Sequence, residues 1–230
     1  MKNLRQLKDL IKNISKKTDI NAQILLRNYM LERLLERISL SELKDNFILK
    51  GGMLIAALVG IDMRSTVDMD ATIKSYPVTK DSVLKAFDSI LSVPVNDGVN
   101  IVLVGIESIR DEADYDGFRV SLEAQMDKAR IPIKVDITTG DKITPKETVY
   151  RFDLLLENRS IEILAYNIET IIAEKLETIL TRGIINTRMR DFYDIYVLLE
   201  SHGLSIDKEL LSSAVMATAE KMPFSCCGIW

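Results

Sequence analysis

The sequence has almost none of the side chains that thiolate or imidazole metal sites require. It contains one histidine, His202, and two adjacent cysteines near its end, Cys226 and Cys227. This composition excludes a disulfide framework and a zinc site with ordinary ligand spacing, and it nearly excludes a histidine-based metal site or catalytic triad. Any chemistry must therefore come from carboxylates, lysines and arginines.

The sequence also lacks a membrane segment and an excess of positive charge. No apolar run approaches the ~20 residues of a membrane span, and lysine or arginine recurs too often near the start for a signal peptide. We therefore expect a cytoplasmic protein without a membrane partner. Its 30 lysines and arginines against 34 aspartates and glutamates give a net charge of −4. This balance argues against purely electrostatic nucleic-acid binding but allows a local basic patch.

The 230 residues are 47% hydrophobic and 28% charged, which is typical of a globular protein with one large or two small domains. Residues 1–40 predict two helices, because apolar side chains recur at helical spacing, with Asp19 or Asn21 capping the second. Nine lysines and arginines against four acids lie in this segment. We interpret them as a solvated helix face, with a phosphate contact as the alternative.

The hydrophobic period becomes that of β-strands further along the chain. It predicts helices at 53–58 and 81–91, and strands at 47–49, 67–73, 100–106, 118–125, 131–137, 151–156 and 160–165. From Asn167 the period is helical again. The pattern therefore predicts an α+β fold, with N-terminal helices and a mixed sheet in residues 1–166 and a helical domain in residues 167–230.

An acidic connection lies between the third and fourth predicted strands. Its acids are Glu107, Asp111, Glu112, Asp114 and Asp116. We predict a solvated hairpin loop here, with a metal site as the less favoured alternative.

The most informative carboxylates are Asp68 and Asp70. Side chains two apart on a strand point to the same face, so these two project together while their neighbours face the core. Adjacent carboxylates repel unless a cation lies between them, and Mg²⁺ prefers oxygen ligands from carboxylates and substrate phosphates. The pair therefore predicts a divalent-cation site, although a solvent-facing strand end is the simpler explanation of either residue alone.

Two further features would complete such a site. Asp136 occupies the polar phase at the end of strand 131–137, and it would join Asp68 and Asp70 if this strand lies beside theirs. Three converging carboxylates suit a two-metal clamp. Gly51 and Gly52 precede a short helix, where the backbone can approach phosphate oxygens.

These motifs, in this order, carry a family resemblance. Gly51-Gly52, a short helix and the stretch from Arg64 to Asp70, followed by the stretches 169–178 and 188–194, resemble the AbiEii/AbiGii-type toxins of the nucleotidyltransferase superfamily. The resemblance implies a polymerase-β-like core, an NTP substrate, Mg²⁺ or Mn²⁺ as cofactor, and a separately encoded antitoxin. It also implies an RNA (tRNA-like) or protein acceptor, and substrate binding by Gly51, Gly52 and Thr66.

A lysine interrupts the apolar face of the helix after Asn167. Lys175 falls within the arc of isoleucines and leucines, so it must extend to solvent, form an ion pair or take part in chemistry. Asp191 on the next helix, predicted to be half-buried, is a suitable partner, and their pair could simply join two helices. The resemblance places both residues at the active site. Arg182, Arg188 and Arg190 are interpreted as triphosphate or RNA contacts, with a solvated turn as the alternative.

Three alternatives stay open at this point. The tail from Phe224 to Trp230 is apolar, which is consistent with a truncated end or with a segment that packs into a groove. An Asp-x-Asp motif also occurs in metal-dependent glycosyltransferases, although that function does not explain Asp136 together with Lys175. The chain could also be a non-catalytic protein that binds a nucleotide or a partner on the same scaffold.

Overall fold

A mixed seven-stranded sheet with helices around it makes up the described part of the chain. The computed structural model describes residues 3–110, 116–183 and 186–220. The helices are α1 (Leu4–Thr18), α2 (Ala22–Leu40), α3 (Gly51–Val59), α4 (Lys80–Ser92), α5 (Ile168–Arg182), α6 (Met189–His202) and α7 (Lys208–Ala219). The strands are β1 (Phe47–Lys50), β2 (Met69–Ile73), β3 (Asn100–Arg110), β4 (Asp116–Met126), β5 (Ala129–Thr139), β6 (Thr148–Asp153) and β7 (Ser160–Ala165). The predicted α+β class is confirmed.

The order of the strands is β3-β4-β5-β2-β1-β7-β6. Strand β2 runs parallel to β5, and β1 runs parallel to β7, while the remaining neighbours are antiparallel. In this register Asp70 on β2 lies between Lys50 on β1 and Asp136 on β5. The condition set for Asp136, that its strand lies beside that of Asp70, is therefore met.

The N-terminal helices fold as predicted, but part of their charge is buried. Asn21 is the cap of α2, because its side chain accepts a hydrogen bond from the Gln23 N–H. The lysines of α1 are exposed, as expected of a solvated face. Arg33 on α2 is fully buried instead, and its guanidinium forms ion pairs with Glu36 and with Glu157 from the turn between β6 and β7. The solvated-face interpretation is therefore wrong for α2.

Several element boundaries differ from the predictions. The helix predicted at 53–58 starts at Gly51, and the strand predicted at 151–156 lies at 148–153. Strands β3 and β4 continue through Glu107 and Asp116, so these two acids are not in a loop. The other acids of that connection, and the tail with Cys226 and Cys227, lie outside the described residues. The division into domains 1–166 and 167–230 stays a prediction.

No helix in the described ranges is long and apolar enough to cross a membrane.

Candidate active site

A cavity of about 870 Å³ opens where β2 and β5 meet the start of α3 and the facing sides of α5 and α6. It brings together nearly all of the residues that the sequence singled out: Gly51, Gly52, Thr66, Asp68, Asp70, Asp136, Lys175, Arg188, Arg190 and Asp191. Arg182 is the exception, because it is not among the lining residues.

The close approach of Asp70 to the start of α3 requires glycine at position 51. Gly51 has a φ of +65°, and a Cβ there would lie 2.1 Å from Asp70 Oδ2. The Gly52 N–H donates to the same oxygen over 3.4 Å. Burial, and then the neighbouring Asp136, raise the pKa of Asp70. Its ionised form therefore needs a cation more than an exposed aspartate would.

Asp136 already has a cationic partner, one that the sequence did not reveal. Arg119 stands opposite it on β4 and binds it in a bidentate pair, with Nε 2.8 Å from Oδ1 and Nη2 2.7 Å from Oδ2. The pairing register of β4 and β5 brings these two residues together. No local sequence pattern around Arg119 predicts this ion pair. We call Asp68, Asp70, Asp136 and Arg119 the strand wall of the cavity.

The strand wall has the oxygen donors that Mg²⁺ prefers. Asp68 and Asp70 are suitable first ligands, because neither is held by a side-chain cation in the way that Asp136 is. Among the described residues, however, no group of three His, Cys, Asp or Glu side chains is arranged to hold a metal ion. The donor set therefore fits a cation at Asp68 and Asp70, whereas Asp136 could join only if its pair with Arg119 opens.

Across the cavity, Lys175 is held by two aspartates rather than one. Its Nζ lies 2.6 Å from Asp191 Oδ1, as the sequence predicted, and 3.0 Å from Asp194 Oδ2. Asp191 is 1% exposed, so the prediction that it is half-buried understated its burial. Asp194 was missed, although it lies three residues after Asp191 on the same helix and therefore near the same face.

These contacts belong to a longer chain of ion pairs. Arg64 Nε donates to Asp194 Oδ1 over 2.6 Å, and Arg188 Nε lies 2.9 Å from Asp191 Oδ2, an ion-pair contact that lacks hydrogen-bond geometry. Each aspartate thus lies between Lys175 and an arginine. We call Arg64, Lys175, Arg188, Asp191 and Asp194 the helix wall. Its two buried carboxylates are matched by three cations.

A cluster of hydrogen bonds around Asp141 lies between the two walls of the cavity and holds Lys50. Lys50 Nζ donates to Asp141 Oδ2 over 2.6 Å, and the hydroxyls of Tyr166 and Thr138 donate to the same oxygen. Burial lowers the pKa of Lys50, but Glu174 and Asp141 outweigh it and raise the pKa to about 12. Lys50 therefore stays charged beside Asp70, a role that its position before the two glycines did not indicate.

The start of α3 provides backbone N–H groups to the cavity. The side chain of the cap residue, Lys50, accepts no hydrogen bond from this helix, and the Gly52 N–H makes only the long bond to Asp70. A Cβ on Gly52 would lie 2.9 Å from Thr66 Oγ1, so glycine keeps the approach between the helix start and Thr66 open. The backbone N–H groups and the helix dipole favour a phosphate here.

The outer face of α6 is apolar and exposed, and Met189 at its start lines the cavity. A stripe of apolar side chains on this helix does not pack into the core: Met189, Phe192, Tyr193, Tyr196 and Leu199 are 42–69% exposed. Arg190 is exposed beside the stripe and lines the cavity. The Tyr193 hydroxyl donates to the Met63 carbonyl over 2.8 Å, which fixes this ring.

Comparison with solved structures supports the fold. The crystal structure of JHP933 from Helicobacter pylori matches with a TM-score of 0.55 and 19% identity, over 87% of this chain and 76% of that one. A second H. pylori protein, described as an inferred nucleotidyltransferase, matches with a TM-score of 0.54 and 17% identity, over 87% and 78%. No curated protein sequence matches the chain.

The family assignment comes from the sequence. The model of the nucleotidyl transferase AbiEii toxin family, of type IV toxin–antitoxin systems, matches residues 33–223, a range that contains every residue of both walls. The resemblance carried by the glycine pair, the Asp-x-Asp motif and the later Lys175 and Asp191 signature is thereby confirmed. The chain belongs to the AbiEii nucleotidyltransferase toxin family of type IV toxin–antitoxin systems.

Proposed function

We propose that this nucleotidyltransferase is a Mg²⁺-dependent toxin that transfers a nucleoside monophosphate from an NTP to an RNA end. The observation that carries the proposal is the opposition of the two walls. Three carboxylates of the strand wall face Lys175 and its arginine neighbours across one cavity. A polyanion and a divalent cation together match this distribution of charge.

The residues of the chain divide the work of the reaction. The backbone N–H groups at Gly51 and Gly52 bind phosphate oxygens, and Lys175 neutralises charge that develops on the triphosphate. Asp191 and Asp194 hold Lys175 in place. Asp68 and Asp70 would hold Mg²⁺ or Mn²⁺, with Asp136 as a further ligand. The metal would supply electrostatic stabilisation of the transferring phosphoryl group.

The chemistry is an in-line displacement at the α-phosphorus. An acceptor hydroxyl oxygen forms a bond to this phosphorus, and the bond to the bridging oxygen breaks, which releases pyrophosphate. Asp136 is placed to accept the hydroxyl proton once it is free of Arg119.

The exposed stripe on α6 favours RNA as the acceptor. Phe192, Tyr193 and Tyr196 present exposed aromatic surface on the helix whose first residue, Met189, lines the cavity, and such surface can stack on unpaired bases. Arg188 and Arg190 supply positive charge for the phosphate backbone at the same place. This combination gives a local basic and aromatic patch on a chain whose net charge is −4.

Incubation with each α-labelled NTP and total cellular RNA tests the proposal. We expect one NTP to label RNA and to release pyrophosphate, and the Asp68→Asn/Asp70→Asn variant to do neither. Asp153→Asn is a matched control, because this aspartate is 86% exposed on the edge strand β6. Label in protein instead of RNA would identify a protein acceptor. NTP binding without transfer would support a non-catalytic protein, and turnover of a nucleotide-sugar would support a glycosyltransferase.

We further propose that the toxin acts in the cytoplasm and is opposed by an antitoxin from a separate gene. Expression in bacteria should then arrest growth, whereas the Asp70→Ala variant should not. Equal arrest by both proteins would point to a binding mechanism instead of transfer.

A further inference from the structure

Arg119 occupies the carboxylate of Asp136, which is the third carboxylate of the candidate cation site. Both oxygens of Asp136 accept hydrogen bonds from one guanidinium, and both side chains are partly exposed to the cavity, Arg119 by 40% and Asp136 by 21%. A metal ion at Asp136 would lie against this guanidinium. Because two cations repel, Arg119 and a metal compete for the same carboxylate.

The charges of the strand wall favour an exchange. Asp68, Asp70 and Asp136 carry three negative charges, and Arg119 offsets one of them. The remaining two match a single divalent cation at Asp68 and Asp70. If Arg119 leaves Asp136, three negative charges face the cavity, and the site can then take a further cation.

The surroundings of Arg119 indicate what could draw it away. Its guanidinium lines the cavity, and Nη1 donates no hydrogen bond to any described residue, so part of its fork is available to a ligand. The guanidinium fork matches phosphate as well as it matches carboxylate. An NTP in the cavity brings several such oxygens and more negative charge than one carboxylate.

We propose that Arg119 is a nucleotide-binding residue that holds Asp136 in the empty site and exchanges it for the triphosphate when an NTP enters. Binding of the nucleotide thereby frees Asp136 for the cation. The inference rests on the proposed function, because it assumes that an NTP and a divalent cation share this cavity. Its consequence is a positive coupling between nucleotide and cation, which must be reciprocal.

Calorimetric titration of Mn²⁺ into the nucleotide-free protein tests the competition without any measurement of activity. Arg119→Gln should bind Mn²⁺ about 10-fold more tightly than the unmodified protein, within the usual range of coupling between sites. Asp136→Asn alone should weaken Mn²⁺ binding, since it leaves the positive charge of Arg119 unpaired beside Asp68. Asp136→Asn added to Arg119→Gln should abolish the gain, which isolates the pairwise effect.

A second titration tests the contact with the nucleotide. In the presence of EDTA, Arg119→Gln should bind a non-hydrolysable NTP analogue about 10-fold more weakly, and Arg119→Lys should fall in between because it keeps the charge but loses the fork. Arg130→Gln is the matched control, since Arg130 lies on β5 outside the cavity and is 49% exposed. Melting temperatures show that the variants are folded.

Unchanged or weaker Mn²⁺ binding by a folded Arg119→Gln would overturn the inference, because the pair would then only orient Asp136. Mn²⁺ binding by the double variant that stays tighter than binding by the unmodified protein would also overturn it, because the gain would then not come from Asp136. In both cases nucleotide transfer by the unmodified protein would leave the proposed function intact. If none of the variants binds Mn²⁺ and none transfers nucleotide, the inference and the proposed function fail together.

Discussion

The two walls of the cavity bury carboxylates in opposite ways. On the helix wall each aspartate lies between two cations of the same chain, so that wall is satisfied without a ligand. On the strand wall Asp70 is partly buried beside Asp136, and among the described residues only Asp136 forms a side-chain ion pair, with Arg119. The difference shows where an external cation is needed. The strand wall is incomplete as folded, whereas the helix wall offers prearranged positive charge to a polyanion.

The largest effect is expected when the negative charge of the strand wall is removed. Asp68→Asn/Asp70→Asn should lower transfer by about 10³-fold or more, since a bound metal supplies several kcal/mol of transition-state stabilisation. Single-turnover transfer with labelled NTP measures this loss. An equally active variant would show that these carboxylates hold no essential cation.

Removal of the Asp70 charge alone should not lower the stability of the protein. The folded-state pKa of Asp70 is raised, so its ionisation opposes folding, and the stability of the unmodified protein falls as the pH rises from the unfolded pKa through the folded one. Asp70→Asn should therefore melt higher than the unmodified protein at pH 7 in EDTA, and this gain should shrink at acidic pH. A lower melting temperature at pH 7 would contradict the comparison.

The next effect concerns the helix wall. Lys175→Met should reduce transfer by about 10²-fold or more, the scale seen when one preorganised charge donor is lost. Its stability should fall by about 2–3 kcal/mol, toward the lower limit for a broken buried pair, because Arg188 and Arg64 remain beside the two aspartates. Thermal melting and turnover on the same protein measure both.

The double variant Lys175→Met/Asp191→Leu separates chemistry from packing. It should recover most of the stability, since no unpaired carboxylate remains at position 191, but it should stay inactive. A stable double variant with normal transfer would end the case for Lys175 in the reaction.

A smaller effect is expected at the exposed stripe of α6. Tyr196→Ser should weaken RNA binding by about 1–3 kcal/mol, the contribution of one base stacked on an aromatic ring, and should leave NTP binding unchanged. Leu204→Ser is the control, because Leu204 is fully exposed and outside the stripe. Equal RNA binding by both variants would remove the argument for a stacking surface.

The last test concerns a buried carboxylate away from the cavity, where no effect on nucleotide transfer is expected. Burial raises the pKa of Glu32 to about 8, although the Leu155 N–H and Arg33 oppose the shift. Folded protein therefore retains a proton that the unfolded chain loses, so stability should decline between about pH 4.5 and pH 8. Glu32→Gln should flatten this decline in thermal melts, and Mg²⁺ should not alter the difference. A Mg²⁺-dependent difference would show that the cavity is not the only cation site.

The sequence predicted what depends on local spacing. Asp68 and Asp70 were singled out as two residues of one strand, and both line the cavity although β2 begins only at Met69; Lys175 was singled out because it interrupts an apolar arc. Asp136 required only that two strands be neighbours, which the sheet order confirms. These residues carry their signals within one element.

The rest depends on which elements meet. Arg119 reaches Asp136 through the register of two strands, and Arg33 is buried because Glu157, 124 residues later, folds against it. The exposure of the stripe on α6 could not be predicted either. This helix is apolar nearly all round, so its sequence does not show which face a neighbouring element covers. Tertiary pairing decides these cases, and no local pattern encodes it.

Calorimetric titration of Mg²⁺ into the nucleotide-free protein tests the central claim most directly, because it measures whether the strand wall needs a cation. The unmodified protein should bind one ion, and Asp68→Asn/Asp70→Asn should bind none, while Lys175→Met keeps its binding because the helix wall is compensated separately. Equal Mg²⁺ binding by the unmodified protein and the Asp68→Asn/Asp70→Asn variant would contradict the account.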